Sequence, residues 1–128
     1  MAEKSKKIIL AIQNDPTDPP HLVGRWLMEI GFEIRILRAY TGEVVPTKVP
    51  DDICALLPLG GSMGANDDKE LPWLADEKKL LADAVDRKIP IFAICLGAQL
   101  LASALGGEVS RAEVGEIGIY EINRNLES

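Results

Sequence analysis

A cysteine at a sharp corner is the first feature of this sequence whose residue type and setting could do chemistry. Cys95 lies between a short apolar run, residues 90–94, and a helix-forming segment, residues 98–105. A buried strand that turns sharply into a helix, with a nucleophile at the corner, is typical of cysteine and serine hydrolases. Ala93 and Gly97, two residues before and after the corner, are small enough to allow such a turn. We therefore expect Cys95 to face solvent at a helix N-terminus, where the helix dipole favours its thiolate.

The competing interpretation of Cys95 is a small buried hydrophobe, which is what most free cysteines are. A second corner favours the chemical interpretation, because Gly60 and Gly61 directly follow another apolar run, residues 53–59. Neighbouring strands lie about 4.8 Å apart, so the backbone N–H groups of Gly61 and Leu96 could converge on one oxygen beside Cys95. Such an oxyanion hole stabilises the negative charge that develops during acyl transfer. The alternative for the two glycines is an ordinary tight turn.

The elements that would hold these corners alternate between strands and helices. Apolar runs and alternating patterns predict strands at residues 7–12, 32–37, 53–59, 90–94 and 117–122. Helical spacing predicts helices at residues 21–29, 73–87 and 98–105, and the charged residues 76–79 are expected to be solvated. This order predicts an α/β fold with a doubly wound, mainly parallel sheet and helices on both faces, as in flavodoxin-like proteins. Ligands bind such sheets at the carboxyl ends of the strands, where both corners lie.

Composition fits one globular domain and excludes several classes of function. The chain has 128 residues, 47% of them hydrophobic, and its net charge of −6 argues against a nucleic-acid surface. No stretch approaches the roughly 20 apolar residues that span a bilayer, so we expect no membrane association.

Two cysteines make no disulfide framework, which favours a cytoplasmic protein, and one histidine with two scattered cysteines furnishes no metal site. No cofactor is expected. Residues 13–20 lack phosphate-cradling glycines, which argues against a flavodoxin-like nucleotide binder.

Four stretches, taken in order, make the chain resemble the class I, cysteine-triad glutamine amidotransferases. Within that family it is similar in particular to the subgroup related to the amidotransferase domain of GMP synthase. The stretches are residues 59–67, with Ser62 where proline is more usual; residues 72–74 with 77–78; the nucleophile motif, residues 93–102; and residues 105–109 followed by 116–118. Together they span about residues 8 to 122.

The resemblance implies a glutaminase reaction. Cys95 would attack the side-chain amide of glutamine, form a thioester and release ammonia, and water would then complete the conversion to glutamate. By the same resemblance, the N–H groups of Gly61 and Leu96 hold the oxyanion, and Gly60, Gly61 and Gln99 bind the glutamine. A synthetase or acceptor-domain partner would take the ammonia. A rival in the same fold superfamily is the DJ-1/PfpI group of cysteine hydrolases, whose elbow cysteine is usually followed by histidine, and Leu96 argues against it.

The family supplies its base and the orienting carboxylate as a downstream His-x-Glu pair, which does not occur in these 128 residues. The only histidine, His21, lies at the predicted start of the first helix, where an ordinary polar residue is common, and no motif supports it as a substitute base. We therefore expect residues 1–128 to be a single amidotransferase-like domain, truncated at the C-terminus and without useful glutaminase activity. The alternative is a non-catalytic ligand-binding or regulatory module. A sheet edge exposed by truncation predicts self-association.

Overall fold

A parallel three-stranded sheet organises the protein, for which a computed structural model describes residues 7–125. The strands are β1 (Ile8–Gln13), β2 (Glu33–Arg38) and β3 (Ile53–Pro58), in the order β2-β1-β3. The helices are α1 (His21–Glu29), α2 (Trp73–Asp86) and α3 (Leu96–Ala104), and a short 3₁₀ turn spans Ala39–Thr41. The expected α/β class and the parallel sheet are confirmed. None of the helices in the described part of the chain is long and apolar enough to cross a membrane.

Strand composition explains the order of the sheet. β1 reads IILAIQ and is buried along nearly its whole length, as expected for a central strand covered on both faces. β2 alternates between half-buried apolar residues and exposed charged residues, which is the pattern of an edge strand. Ile8 faces Glu33 of β2 and Ile53 of β3, and an irregularity follows directly between Ile8 and Ile9 on the β3 side.

Residues 90–94, here called the elbow segment, continue the sheet beyond β3. Ile91 pairs with Leu56 in a parallel bridge, although the segment is too irregular to count as a full strand. Leu56 donates its N–H to the carbonyl oxygen of Pro90 at 2.9 Å and accepts the N–H of Phe92 at 3.0 Å. The segment therefore lies beside β3, but the prediction of a strand at residues 90–94 is wrong, because a single bridge joins the segment to the sheet.

Helices cover both faces of the sheet, but unequally. α2 and α3 pack together on one face, here called the closed face, around Leu10, Ile12 and Leu56. α1 lies on the other, the open face, over Ile9, Ala11, Leu57 and Leu59, with its residues Val23 and Leu27 only partly buried. Between α1 and the elbow segment an apolar groove of about 550 Å³ remains, lined by Trp26, Cys54, Ala55, Leu57, Ile91 and Phe92 among others.

The predicted strand at residues 117–122 is wrong. This segment is irregular in the structure, and the side chains of Ile117, Ile119 and Ile122 are almost fully exposed. An alternating pattern makes a strand only where a neighbouring edge pairs with it, and within residues 7–125 this segment pairs with none. The α1 prediction is correct in its bounds, but Leu22 and Trp26 remain 75% and 57% exposed because the open face is only partly filled.

Candidate active site

The backbone turns most sharply at Cys95. This residue has φ 50° and ψ −112°, a region that residues other than glycine seldom occupy, and it is the N-cap of α3. Two residues later, a Cβ on Gly97 would overlap the carbonyl oxygen of Pro58. Only glycine lets α3 begin so close to the end of β3. The resulting corner holds the Cys95 side chain in solvent.

The turn after β3, residues 60–62 and here called the glycine turn, brings two glycines beside this corner. A Cβ built on Gly60 would lie 3.6 Å from Cβ of Cys95, and one on Gly61 would lie 3.1 Å from Cδ2 of Leu96. Within residues 7–125, the backbone N–H groups of Gly61 and Leu96 donate to no other group. The two corners therefore lie side by side, and each carries an unpaired main-chain donor.

A cleft of about 380 Å³ extends from Cys95 to the start of α1. Gly60, Gly61 and Cys95 line one side, and residues 18–23 line the other. His21 therefore lines the same cleft as Cys95, which the sequence did not predict. A signal for it exists, because residues 18–23 follow the carboxyl end of β1, at the same edge of the sheet as the two corners.

Gln99, predicted to help bind glutamine, lies outside this cleft. Its exposed side chain on α3 lines a separate depression of about 500 Å³ together with residues 62–67 and 109–111. Among the predicted site residues, the structure thus brings Cys95, Gly60, Gly61 and Leu96 together and leaves Gln99 on the far side of the glycine turn.

Behind the glycine turn lies a buried polar network that the sequence did not predict. The fully buried Asn14 donates from Nδ2 to the carbonyl oxygen of Leu59 at 3.3 Å and to Oε1 of Glu77 at 3.1 Å. Nε1 of Trp73 donates to Oδ1 of Asn14 at 2.9 Å. The end of β1, the exit of β3 and the first turns of α2 are therefore joined through one amide side chain.

The expectation that Glu77 is solvated is wrong, because its side chain is fully buried. Glu77 stands within the run of charged residues 76–79, which suggested an exposed segment. It is, however, three residues from both Leu74 and Leu80, and this helical spacing places it on the side of α2 that faces the core. Burial raises the pKa of Glu77 to about 8, although the hydrogen bond from Asn14 lowers it. Its Oε2 has no hydrogen-bond partner in the described part of the chain, and burial favours the protonated, neutral form of this carboxyl group.

Asp15 ties the loop after β1 to the other end of the glycine turn. Its carboxylate accepts hydrogen bonds from Thr17 and, at 3.2 and 2.9 Å, from the backbone N–H and the hydroxyl of Ser62. These bonds, that from the backbone of Thr17 foremost, hold the pKa of Asp15 well below its usual range. A proline at position 62 could donate neither bond, so Ser62 adds an anchor to this turn.

No metal centre is formed within residues 7–125, where no three His, Cys, Asp or Glu side chains converge. The site therefore offers a thiol, unpaired main-chain donors and a cleft beside them.

Comparison with known proteins gives the family. Residues 20–123 match the family model for glutamine amidotransferase class-I. The chain is 33% identical over 101 residues to the putative glutamine amidotransferase-like protein YfeJ of Salmonella typhimurium, covering 77% of this chain and 42% of that protein. It is also 33% identical over 103 residues to a subunit of the glutamine-hydrolyzing GMP synthase of Pyrococcus furiosus, covering 80% of this chain and 50% of that subunit.

The fold agrees with this match. A crystal structure of a glutamine amido transferase from Methylobacillus flagellatus matches with a TM-score of 0.78 and 36% identity, covering 89% of this chain and 45% of that one. The chain therefore spans half or less of the length of these relatives. On the strength of the family match and the shared fold, the chain belongs to the class I glutamine amidotransferases.

Proposed function

We propose that this chain carries the nucleophile of a glutaminase reaction, with Cys95 as the attacking group. Sγ of Cys95 forms a bond to the side-chain amide carbon of glutamine, and the amide nitrogen leaves as ammonia after taking up a proton. Water then cleaves the thioester, which gives glutamate and restores the thiol. The observation that carries this proposal is the exposed Cys95 at a strained turn, in contact with a glycine turn that has a free N–H group.

The N–H groups of Gly61 and Leu96 are proposed to hold the oxyanion of the tetrahedral intermediate. Both are unpaired within residues 7–125, and the two residues lie close together beside Cys95. Loss of one such donor typically lowers turnover by about 10²–10³. Gly60 and Gly61 border the cleft that would receive the amide, and Gln99 is proposed to bind the glutamine from the separate depression on α3.

Turnover also needs a base, and these 128 residues lack the His-x-Glu pair of the family. In a cooperative triad, loss of the base costs roughly 10⁶ in turnover. We therefore expect the 128-residue chain to react at Cys95 without useful release of ammonia. His21 lines the same cleft, and we propose that it borders the substrate without acting as the base.

Covalent labelling tests the proposal. A chloroketone analogue of glutamine is expected to alkylate Cys95 faster than Cys54, the half-buried second cysteine, and an excess of L-glutamine is expected to slow the labelling. Mass spectrometry locates the label, Cys95→Ala is the matched control, and an ammonia assay follows turnover. Labelling confined to Cys54, or labelling of Cys95 that L-glutamine does not slow, would overturn the proposal.

The role of His21 has its own test. His21→Ala is expected to keep the labelling rate of Cys95 within about threefold, because the thiol does not depend on this imidazole. A loss of more than about tenfold, with the fold intact by circular dichroism, would make His21 the base instead.

The ammonia acceptor is proposed to be a separate synthetase or acceptor domain. Support comes from the relatives, since one is named as a subunit of a GMP synthase and others as small chains of carbamoyl phosphate synthase. The Cys95 cleft, at about 380 Å³, offers space for a glutamine-sized molecule.

A further inference from the structure

The buried network around Asn14 is not part of the proposed chemistry, yet it lies directly behind the site. Asn14 is joined to Leu59, Trp73 and Glu77, which follow it by 45, 59 and 63 residues. Leu59 immediately precedes Gly60 and Gly61. A Cβ built on Gly61 would lie 3.5 Å from Cβ of Asn14, so Asn14 also supports the glycine turn from behind.

The network fixes the orientation of the Asn14 amide. Its Nδ2 donates to two acceptors and its Oδ1 accepts from Trp73, so every bond requires the same amide orientation. Leu59 has its N–H bonded to the carbonyl oxygen of Ile12 at 3.0 Å and its carbonyl oxygen bonded to Asn14. The residue before the glycine turn is thereby held at both of its backbone polar groups.

Core stability alone does not account for this arrangement. The network places a carboxyl group with an unpartnered oxygen in a core otherwise made of aliphatic residues. Replacing all members of a buried polar network together with apolar side chains of similar size is often neutral or stabilising. The three hydrogen bonds of the Asn14 amide, in contrast, define one geometry for the groups they join.

We propose that Asn14, held in place by Glu77 and Trp73, is a positioning residue that fixes the turn after β3 and thereby aims the N–H of Gly61 at the reacting carbonyl beside Cys95. This inference rests on the proposed role of Gly61 as an oxyanion donor. Asn14 itself touches no reacting atom. It acts through Leu59, whose carbonyl oxygen it holds.

Comparing two reactions of the Cys95 thiol distinguishes a positioning role of Asn14 from a general effect on stability. Acylation of Cys95 by p-nitrophenyl acetate passes through a tetrahedral oxyanion, as Sγ bonds to the carbonyl carbon and nitrophenolate leaves. Alkylation by iodoacetamide displaces iodide without forming an oxyanion. The ratio of the two rates therefore reports the oxyanion donors and cancels changes in the thiolate population. A Cys54→Ser background leaves Cys95 as the only thiol, and the same background with Cys95→Ala gives the rate of reaction at other side chains, which is subtracted.

Asn14→Leu and Glu77→Leu are expected to lower the acylation-to-alkylation ratio by about tenfold or more, because the donor on Gly61 is no longer held in position. Glu77→Gln keeps an oxygen acceptor for Asn14 and is expected to retain the ratio within about threefold. Ala84→Gly, two turns further along α2 and fully buried, is the matched control. It weakens the helix and is expected to leave the ratio unchanged.

An unchanged ratio in folded Asn14→Leu and Glu77→Leu would overturn the proposal, as would an equal loss in Ala84→Gly. If the leucine variants do not fold, Trp73→Phe decides, because it removes the N–H donated to Asn14 while keeping an aromatic ring, and the expected result is a loss of about threefold or more. A wild-type ratio equal to that of a small free thiol would overturn this inference together with the oxyanion role of Gly61. A raised wild-type ratio without labelling by the glutamine analogue would instead overturn only the proposed substrate.

Discussion

The closed face and the open face share the same strands but differ in what their helices bury. On the closed face, Leu74, Leu80, Leu81 and Leu100 of α2 and α3 are all fully buried. On the open face, the only buried residue of α1 is Gly24, and Trp26 and Phe92 remain more than half exposed around the groove. The Asn14 network and the first residues of α3 also lie on the closed face. The difference teaches that one face supplies both the rigidity of this chain and the geometry of its candidate site.

The largest expected effect is at Gly97, where the closed face meets the site. In Gly97→Ala the new Cβ would overlap the carbonyl oxygen of Pro58, and a backbone atom cannot move aside as a side chain would. We expect a loss of more than about 3 kcal/mol in the free energy of unfolding, or no cooperative fold, measured by urea denaturation. Gly115→Ala is the control, since nothing lies within 4 Å of its Cβ position, and a comparable loss there would contradict the explanation.

A matched pair of leucines compares the two faces directly. Leu100→Ala on the closed face removes a fully buried side chain and is expected to cost about 2–5 kcal/mol. Leu27→Ala on the open face removes a partly buried side chain beside the groove and is expected to cost roughly half as much. Both values come from urea denaturation followed by circular dichroism. Equal costs would show that the open face is as well packed as the closed one.

Glu77 gives the closed face a pH dependence. Its pKa is about 8 in the folded protein against an ordinary value of 4.5, so between these values the folded state binds more protons than the unfolded state. Stability therefore falls as pH rises from about 4.5 to 8. Glu77→Gln does not titrate, and its stability relative to wild type is expected to rise by about 2 kcal/mol between pH 6 and pH 8.

The measurement is urea denaturation of both proteins at several pH values. Glu29→Gln, at an exposed position on α1, is the control and is expected to track the wild type. A difference between Glu77→Gln and wild type that stays constant with pH would mean that Glu77 is already charged in the folded protein.

The smallest effect on stability is expected at the rim of the open-face groove. Phe92 is 61% exposed, so Phe92→Lys is expected to change stability by no more than about 0.5 kcal/mol. The same change places a charge in the groove and is expected to reduce self-association and the binding of an apolar fluorescent dye. Sedimentation and dye titration measure both. Val114→Lys, exposed and outside the groove, is the control.

The sequence predicted most elements of the sheet and its helices because their signals are local. α1 lies between Pro20 and Gly31, which has φ 108°, and its bounds agree with the prediction. The apolar runs of β1 and β3 likewise mark buried strands. Residues 117–122 carry an equally clear alternation, but a strand needs a neighbouring edge, and pairing is not encoded in the strand itself.

The candidate site was predictable where it depends on short motifs and not where it depends on distant contacts. Cys95, Gly60 and Gly61 lie in recognisable turns at the ends of apolar runs. Asn14 lies in a loop rich in turn-forming residues, where one asparagine looks like any other, and its partners are 45 to 63 residues away. Glu77 was concealed within a charged run, although its helical spacing placed it on the buried side.

The backbone angles of Cys95 lower the stability of the folded protein. A residue other than glycine held at such angles costs on the order of 1–3 kcal/mol, whereas glycine adopts them with little penalty. Cys95→Gly would therefore raise the free energy of unfolding and remove the thiol. Variants selected only for stability on heating would therefore be expected to accumulate Cys95→Gly, whereas selection for the proposed reaction would retain the cysteine.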